Sequence, residues 1–491
     1  MEDVAFRGGH WSAWQRLLVE PKRPDRIRNR PGAFWLTVAA VCIGAFMGQL
    51  DASIVTVALP TLQRTFHASV GAVSWVGLSY LLVLVATVVA VGRLADMWGR
   101  KLLYVYGFGI FIVGSALCGL APGLGWLIGF RALQAIGAAL LQANSVAIIV
   151  LAVPKPSLGK AIGIQGAAQA VGLALGPTVG GFLLAAGGWR LIFFVNVPFG
   201  LLGMVAGVLL IPRSLNLQRP TPFDWSGFTL FFPAVVALFA AISFGNVRGW
   251  TSPSIIGLFV GGAGLVAMFI LRERRCEHPM LDLRLFRQSR FSAGITSGLL
   301  SYLVMFGVLF VVPFYLERGV GLGSGRAGIE LMVMPAALGV AAPLAGRLAD
   351  RIGARPLTVG GMAFVAGGLA ALAALRPGTW LFLVLLAVVG GGMGAFTPPN
   401  NATIMGSVPT SQTGVASGVL NMTRGMGTSL GLAVTGLIFD AAGGSSASTG
   451  AVARAFSITC LALAGAAVVA GLVAGASEGG PITVPVGVMV E

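Results

Sequence analysis

Between residues 34 and 475 the chain alternates long apolar runs with short polar breaks. The runs are apolar on every side rather than at alternate positions, so they predict membrane-spanning helices and argue against a barrel of strands. A crossing takes about 20 residues. Fourteen segments are of that order, near 34–59, 70–92, 102–121, 125–150, 160–186, 190–211, 227–245, 253–271, 291–316, 326–346, 357–375, 379–404, 413–439 and 453–475. Lysine and arginine favour the cytoplasmic loops of membrane proteins. Of the 32 present, 23 fall on the side of the amino terminus, seven on the other and two within spans, which predicts that both termini are cytoplasmic.

Composition agrees and narrows the choice. Of 491 residues, 56% are hydrophobic and only 10% charged, with a mean hydropathy of +0.89. The 72 glycines suit helices that approach closely in lipid. The net charge of +16 is spread over short loops, which implies attraction to anionic lipid head groups rather than nucleic-acid binding. Cys42, Cys118, Cys276 and Cys460 lack the spacing of a disulfide framework, and His10, His67 and His278 lie in the amino tail or loops, so no metal or cofactor is expected. The first apolar run is too long for a signal peptide and lacks a small-residue cleavage site, so it is expected to remain as a helix. No sizeable loop offers a nucleophile or phosphate site, and an enzyme is not expected.

The chain also repeats itself. GRLADMWGRKLL (92–103) and GRLADRIGARPL (346–357) agree at seven of twelve positions, 254 residues apart. Gly163, Gly172, Gly176 and Gly181 have partners at Gly418, Gly427, Gly431 and Gly436, at an offset of 255. The expected plan is a basic tail (1–33), a six-helix bundle (34–212), a linker with two extra transmembrane helices (213–290), a second six-helix bundle (291–476) and a cytoplasmic tail (477–491). Two repeated bundles with a site between them near the midplane is an alternating-access plan.

Charges within spans cost about 2.5–3.5 kcal/mol each on insertion scales and point to function or to an internal partner. Asp51 interrupts MGQLDASIVTVALP (47–60), 17 residues into the first span, or roughly 25 Å of rise, in its outer half. Burial disfavours the charged form of a carboxylate and a nearby cation restores it, so one acid can act as a proton switch. A purely structural polar contact is the alternative. Arg131 opens the fourth span, either snorkelling to the outer surface or facing a polar cavity with Gln134 a turn further on. Arg424 aligns with Gln169 in the repeat and shares a helical face with Asn421, which suggests a cavity position. Glu330, beside Arg326, suits either an interfacial ion pair or a coupling role.

Five motifs then resemble one family. GRLADMWGRK (92–101), with Asp96, Arg100 and Lys101, resembles the cytoplasmic signature of the major facilitator superfamily, and FRALQAIGAA (130–139) its fourth-span motif. GLALGPTVGG (172–181), with Gly172, Gly176, Pro177, Gly180 and Gly181, is similar to the fifth-span antiporter motif. LDASIVTVALP (50–60) and GWRLIFFVNVPFG (188–200) resemble motifs of its fourteen-helix drug:proton antiporter branch. The resemblance implies an all-α major facilitator fold and a multi-pass exporter of the cytoplasmic membrane, exchanging small molecules for protons, in contact with membrane lipids and functional as a monomer. It further implies that Asp51 and Arg131 serve proton coupling. Asp96 with Arg100 and Lys101 is expected to latch the cytoplasmic ends, more strongly than Asp350 and Arg351 in the second copy, where Ala354 replaces Arg100. Arg424 and Glu330 are further coupling candidates. Gln134, Gln169, Asn421, Tyr302 and Phe306 are expected in the substrate cavity, although aromatics at helical spacing also serve packing. An uptake carrier and an exporter of one endogenous metabolite are the alternatives.

Overall fold

In the computed structural model, residues 20–214, 222–322, 324–375, 379–444 and 448–476 are described, and they are almost wholly helical. The long helices are α1 (Phe34–Phe66), α2 (Val70–Trp98), α3 (Arg100–Gly119), α4 (Leu124–Ala152), α5 (Leu158–Gly187), α6 (Asn196–Leu210), α7 (Trp225–Arg248), α8 (Pro253–Glu273), α9 (Ser289–Phe314), α10 (Val333–Ile352), α11 (Ala354–Leu375), α12 (Thr379–Gly406), α13 (Thr413–Ala441) and α14 (Thr449–Ala476). Thirteen helical segments among the described residues are long and apolar enough to cross a membrane. The remaining helix, α13, has the length but carries Asn421, Thr423 and Arg424 inward, which lowers its hydropathy. The arrangement is consistent with fourteen spans.

Local chemistry explains the breaks. Ser69 caps α2 by accepting from the Ala72 N–H. The turn from α2 into α3 passes through Gly99 at φ +111°, and the equivalent turn from α10 into α11 through Gly353 at φ +86°. Both lie in the left-handed region that a side chain disfavours, which is why the repeated motif keeps glycine there.

The helices pack in two sets. α1 lies along α5, α3 along α4 and α6, and α2 along α4; in the second set α9 lies along α13, α11 along α12 and α14, and α10 along α12. The sets meet along two seams, α2 with α13 and α5 with α10. In the first seam the backbones of Gly92 and Gly414 touch, and in the second those of Gly159 and Gly346, so that a Cβ at any of the four would strike the opposite helix. These pairs correspond to one another through the repeat. The seams continue to Val85 and Gly425 and to Ala170 and Gly339. The bundles are therefore closed together at the end that the basic loops assign to the cytoplasm. α7 and α8 pair with each other, tied by Arg272 donating to Asp224 at 2.8 Å, and α7 leans on α2 and α13.

Candidate functional site

Asp51 lies inside the first bundle, where five helices converge on it. One carboxylate oxygen accepts from Arg131 Nη1 of α4 at 2.7 Å. The other accepts from Gln134 Nε2 at 2.9 Å and from Asn196 Nδ2, at the start of α6, at 2.7 Å. Both amides also donate to Ser115 Oγ of α3, at 3.1 and 3.0 Å, and that hydroxyl donates to the Phe193 carbonyl at 2.9 Å. Arg131 is held in turn by the Val76 carbonyl of α2 at 3.1 Å and by Gln134 Oε1 at 2.7 Å, with the Tyr80 ring 4.2 Å from its guanidinium carbon. Asp51 is 0% exposed and Arg131 1%. Removing one partner of so enclosed a pair leaves a buried, uncompensated charge, typically a loss of about 3–5 kcal/mol.

This geometry differs from what the spacing suggested for Arg131 and Gln134. Arg131 neither snorkels nor faces the cavity between the bundles; it points into its own bundle. Gln134, expected among cavity residues, is fully buried in the same network, because its amide completes the shell of Asp51. Asp51 itself is sealed from the outer aqueous face in this conformation. Asn196 and Ser115 went unnoticed in the sequence. The signal for Asn196 was present, a lone amide in the apolar stretch IFFVNVPFG, whereas Ser115 resembles any small residue of a membrane helix.

The fifth-span motif lies against this site. Gly172 faces the Phe46 carbonyl and Gln49, Gly176 faces Ser53 and Gly180 faces Ile54, so the stripe seats α5 on α1 to either side of Asp51. Ser53 Oγ donates to the Gly172 carbonyl at 3.4 Å. Gly181 faces open space, and Pro177 sits within the helix.

At the closed end, Asp96 is an N-cap supplied in trans. Its carboxylate accepts from the Gly414 and Val415 N–H groups at 2.8 and 3.0 Å, in the first turn of α13, and from Arg100. Arg100 also donates to the Thr410 carbonyl at 2.8 Å. Asp350 does the same for α5, accepting from the Gly159 and Lys160 N–H groups at 2.8 and 3.1 Å. Asp96 is fully buried, whereas Asp350 and Arg351 are exposed. Lys101 is buried too and donates to the Pro21 carbonyl at 2.7 Å. The amino tail thus joins this end. Glu20 accepts from the Leu102 N–H at 3.1 Å and from Ser214. Glu20 carries no motif or spacing that marks it in the sequence.

The other candidates lie apart from Asp51. Glu330 accepts from Arg326 at 3.3 Å. Arg424 donates to Asn421 at 3.2 Å, and Asn421 donates across the seam to the Gln142 carbonyl of α4 at 2.9 Å. Tyr302 and Phe306 stack on α9 with ring centroids 6.3 Å apart, and Gln169 is half-buried on α5.

Two related helical bundles, joined at one end and holding a charged network in one half, define a multi-pass carrier of the cell membrane rather than an enzyme. Residues 41–273, 224–432 and 294–481 match the family model described as Major Facilitator Superfamily, and the chain belongs to that family. It is 34% identical over 403 residues to the riboflavin transporter RibZ of Clostridioides difficile, covering 81% of this chain and 87% of the relative. It is 36% identical over 408 residues to the multidrug resistance protein Stp of Mycobacterium tuberculosis (strain CDC 1551 / Oshkosh), covering 83% and 76%. The fold also matches the human organic anion transporter MFSD10 (TETRAN) with a TM-score of 0.65 over 91% of this chain and all of that one; at 14% identity this likeness shows the fold alone.

Proposed function

We propose that the protein exports amphipathic small molecules across the cytoplasmic membrane in exchange for protons, by alternating access between its two bundles. The observation that carries this reading is the sealed Asp51–Arg131 pair with its amide shell. A proton taken up by Asp51 removes the charge attraction that holds Arg131 and turns one carboxylate oxygen into a donor. The Gln134 and Asn196 amides, which donate to the other oxygen, are then held by a neutral and weaker acceptor, and the shell they form with Ser115 loosens. α1 moves with its carboxylate, and the glycine stripe, seated directly on Phe46, Ser53 and Ile54 of α1, passes that movement to α5. The cytoplasmic start of α5 is the turn capped by Asp350 of the other bundle. A proton event in one half therefore has a contiguous route of packed helices to the seam that must open.

Asp51→Asn mimics the protonated side chain. Everted membrane vesicles carrying it are expected to insert and fold the protein but to lose substrate-dependent proton release. Undiminished release would sink the coupling role. The similarity to RibZ supports a second reading, a carrier dedicated to one metabolite. The direction and breadth of transport in the same vesicles separate the two.

A further inference from the structure

Arg424 stands apart from the other charges placed among the spans. Asp51 is paired with Arg131, Asp96 with Arg100 and Glu330 with Arg326. Arg424 is 9% exposed, yet its only side-chain bond among the described residues is to the amide oxygen of Asn421, and its Nη2 has no acceptor. The Tyr302 ring, with its centroid 5.4 Å from the guanidinium carbon, softens the charge without neutralising it. A guanidinium does not deprotonate in proteins, so the cation persists through any cycle. It sits 11 residues into α13, roughly 16 Å of rise, near the middle of the membrane. There it lines a cleft between α9, α12 and α13 of about 10 Å³, room for about one water in this conformation, walled by Tyr302, Phe396, Ile404 and Leu420.

We propose that this cleft recognises substrates with an anionic head, a carboxylate or comparable oxyanion, joined to an aromatic or aliphatic body. The oxyanion would supply both the acceptor that Nη2 lacks and the counter-charge that no described side chain provides, in the forked geometry that suits a guanidinium. In this conformation the cleft has no room for the body, so it must widen in another state of the transport cycle, where the body would lie along the aromatic wall. A cationic compound would meet a like charge in a low-dielectric cleft, which is selection against the wrong partner as well as for the right one. The equivalent position in the other half is the neutral Gln169, so the preference belongs to one bundle. This inference rests on the export reading for its biological meaning and on Arg424 alone for its chemistry.

The test uses three compounds of one shape: 2-naphthoate, 2-naphthamide and 2-naphthylmethylammonium. Binding to the purified full-length chain in detergent is measured by titration calorimetry against empty micelles. Naphthoate is expected to bind about tenfold or more tightly than the ammonium compound, with the amide between. Arg424→Gln is expected to bring the three within about threefold, and Arg424→Lys to keep the order with a smaller spread. Absence of saturable naphthoate binding, or ammonium binding as tight as naphthoate in the unaltered chain, overturns the proposal. So does an unchanged preference in a monodisperse Arg424→Gln protein. No proton gradient is involved, so failure of the Asp51 exchange experiment and failure of this one are separate results.

Discussion

Asp51 and Arg131 are each expensive to bury alone and far less so as a hydrogen-bonded pair, which ties the stability of the first bundle to the state of one carboxylate. The amide shell makes that dependence sharper. Asn196→Leu removes one donor to a buried charged group. It is expected to destabilise the protein by about 1.5–3 kcal/mol, read as a lowered midpoint of thermal unfolding in detergent, and to slow transport. An unchanged midpoint would mean that the bond contributes nothing. The acid, the arginine and Gln134 were visible as polar breaks in apolar runs. That they face each other inside one bundle was not, because a helical wheel shows which residues share a face but not which neighbour that face meets. Tyr80 illustrates the same limit: nothing in its place along the second span marks it as the lid of Arg131.

Most helix boundaries were legible to within a few residues, since lipid demands continuous apolar helices and glycine or a capping residue ends them, but α1, α2 and α10 run six or seven residues past the expected ends. The least apolar span, α13, was still found, because its polar residues fall together on one side. The roles of individual glycines needed the structure. Gly172, Gly176 and Gly180 admit α1, whereas Gly181 borders open space in the same motif. Gly176→Val is accordingly expected to force α5 away from Ser53, at a cost of about 1–3 kcal/mol, and to reduce transport strongly. Gly181→Ala is expected to leave both thermal stability and transport nearly unchanged. Equal effects of the two substitutions would mean that the stripe does not act through α1.

The two trans caps give the whole molecule a lopsided closure on a symmetric frame. Asp96 is buried with Arg100 against it, while Asp350 is exposed and has Ala354 at the position corresponding to Arg100. Loss of an N-cap costs about 1 kcal/mol, so Asp350→Ala is expected to raise the population open to the cytoplasm about fivefold. Asp96→Ala, which also breaks a buried pair, is expected to raise it well beyond about tenfold. Labelling of a cysteine introduced along the α2–α13 seam measures both, and a reversed order would contradict the structure. The caps have one more consequence. Each joins the first turn of a helix in one half to a carboxylate in the other, so separation of the halves must strip the protecting acceptor from the amides of Gly159, Lys160, Gly414 and Val415. Their deuterium uptake would record each opening of the unlabelled, unmutated carrier, a clock for the transport cycle already written into its backbone.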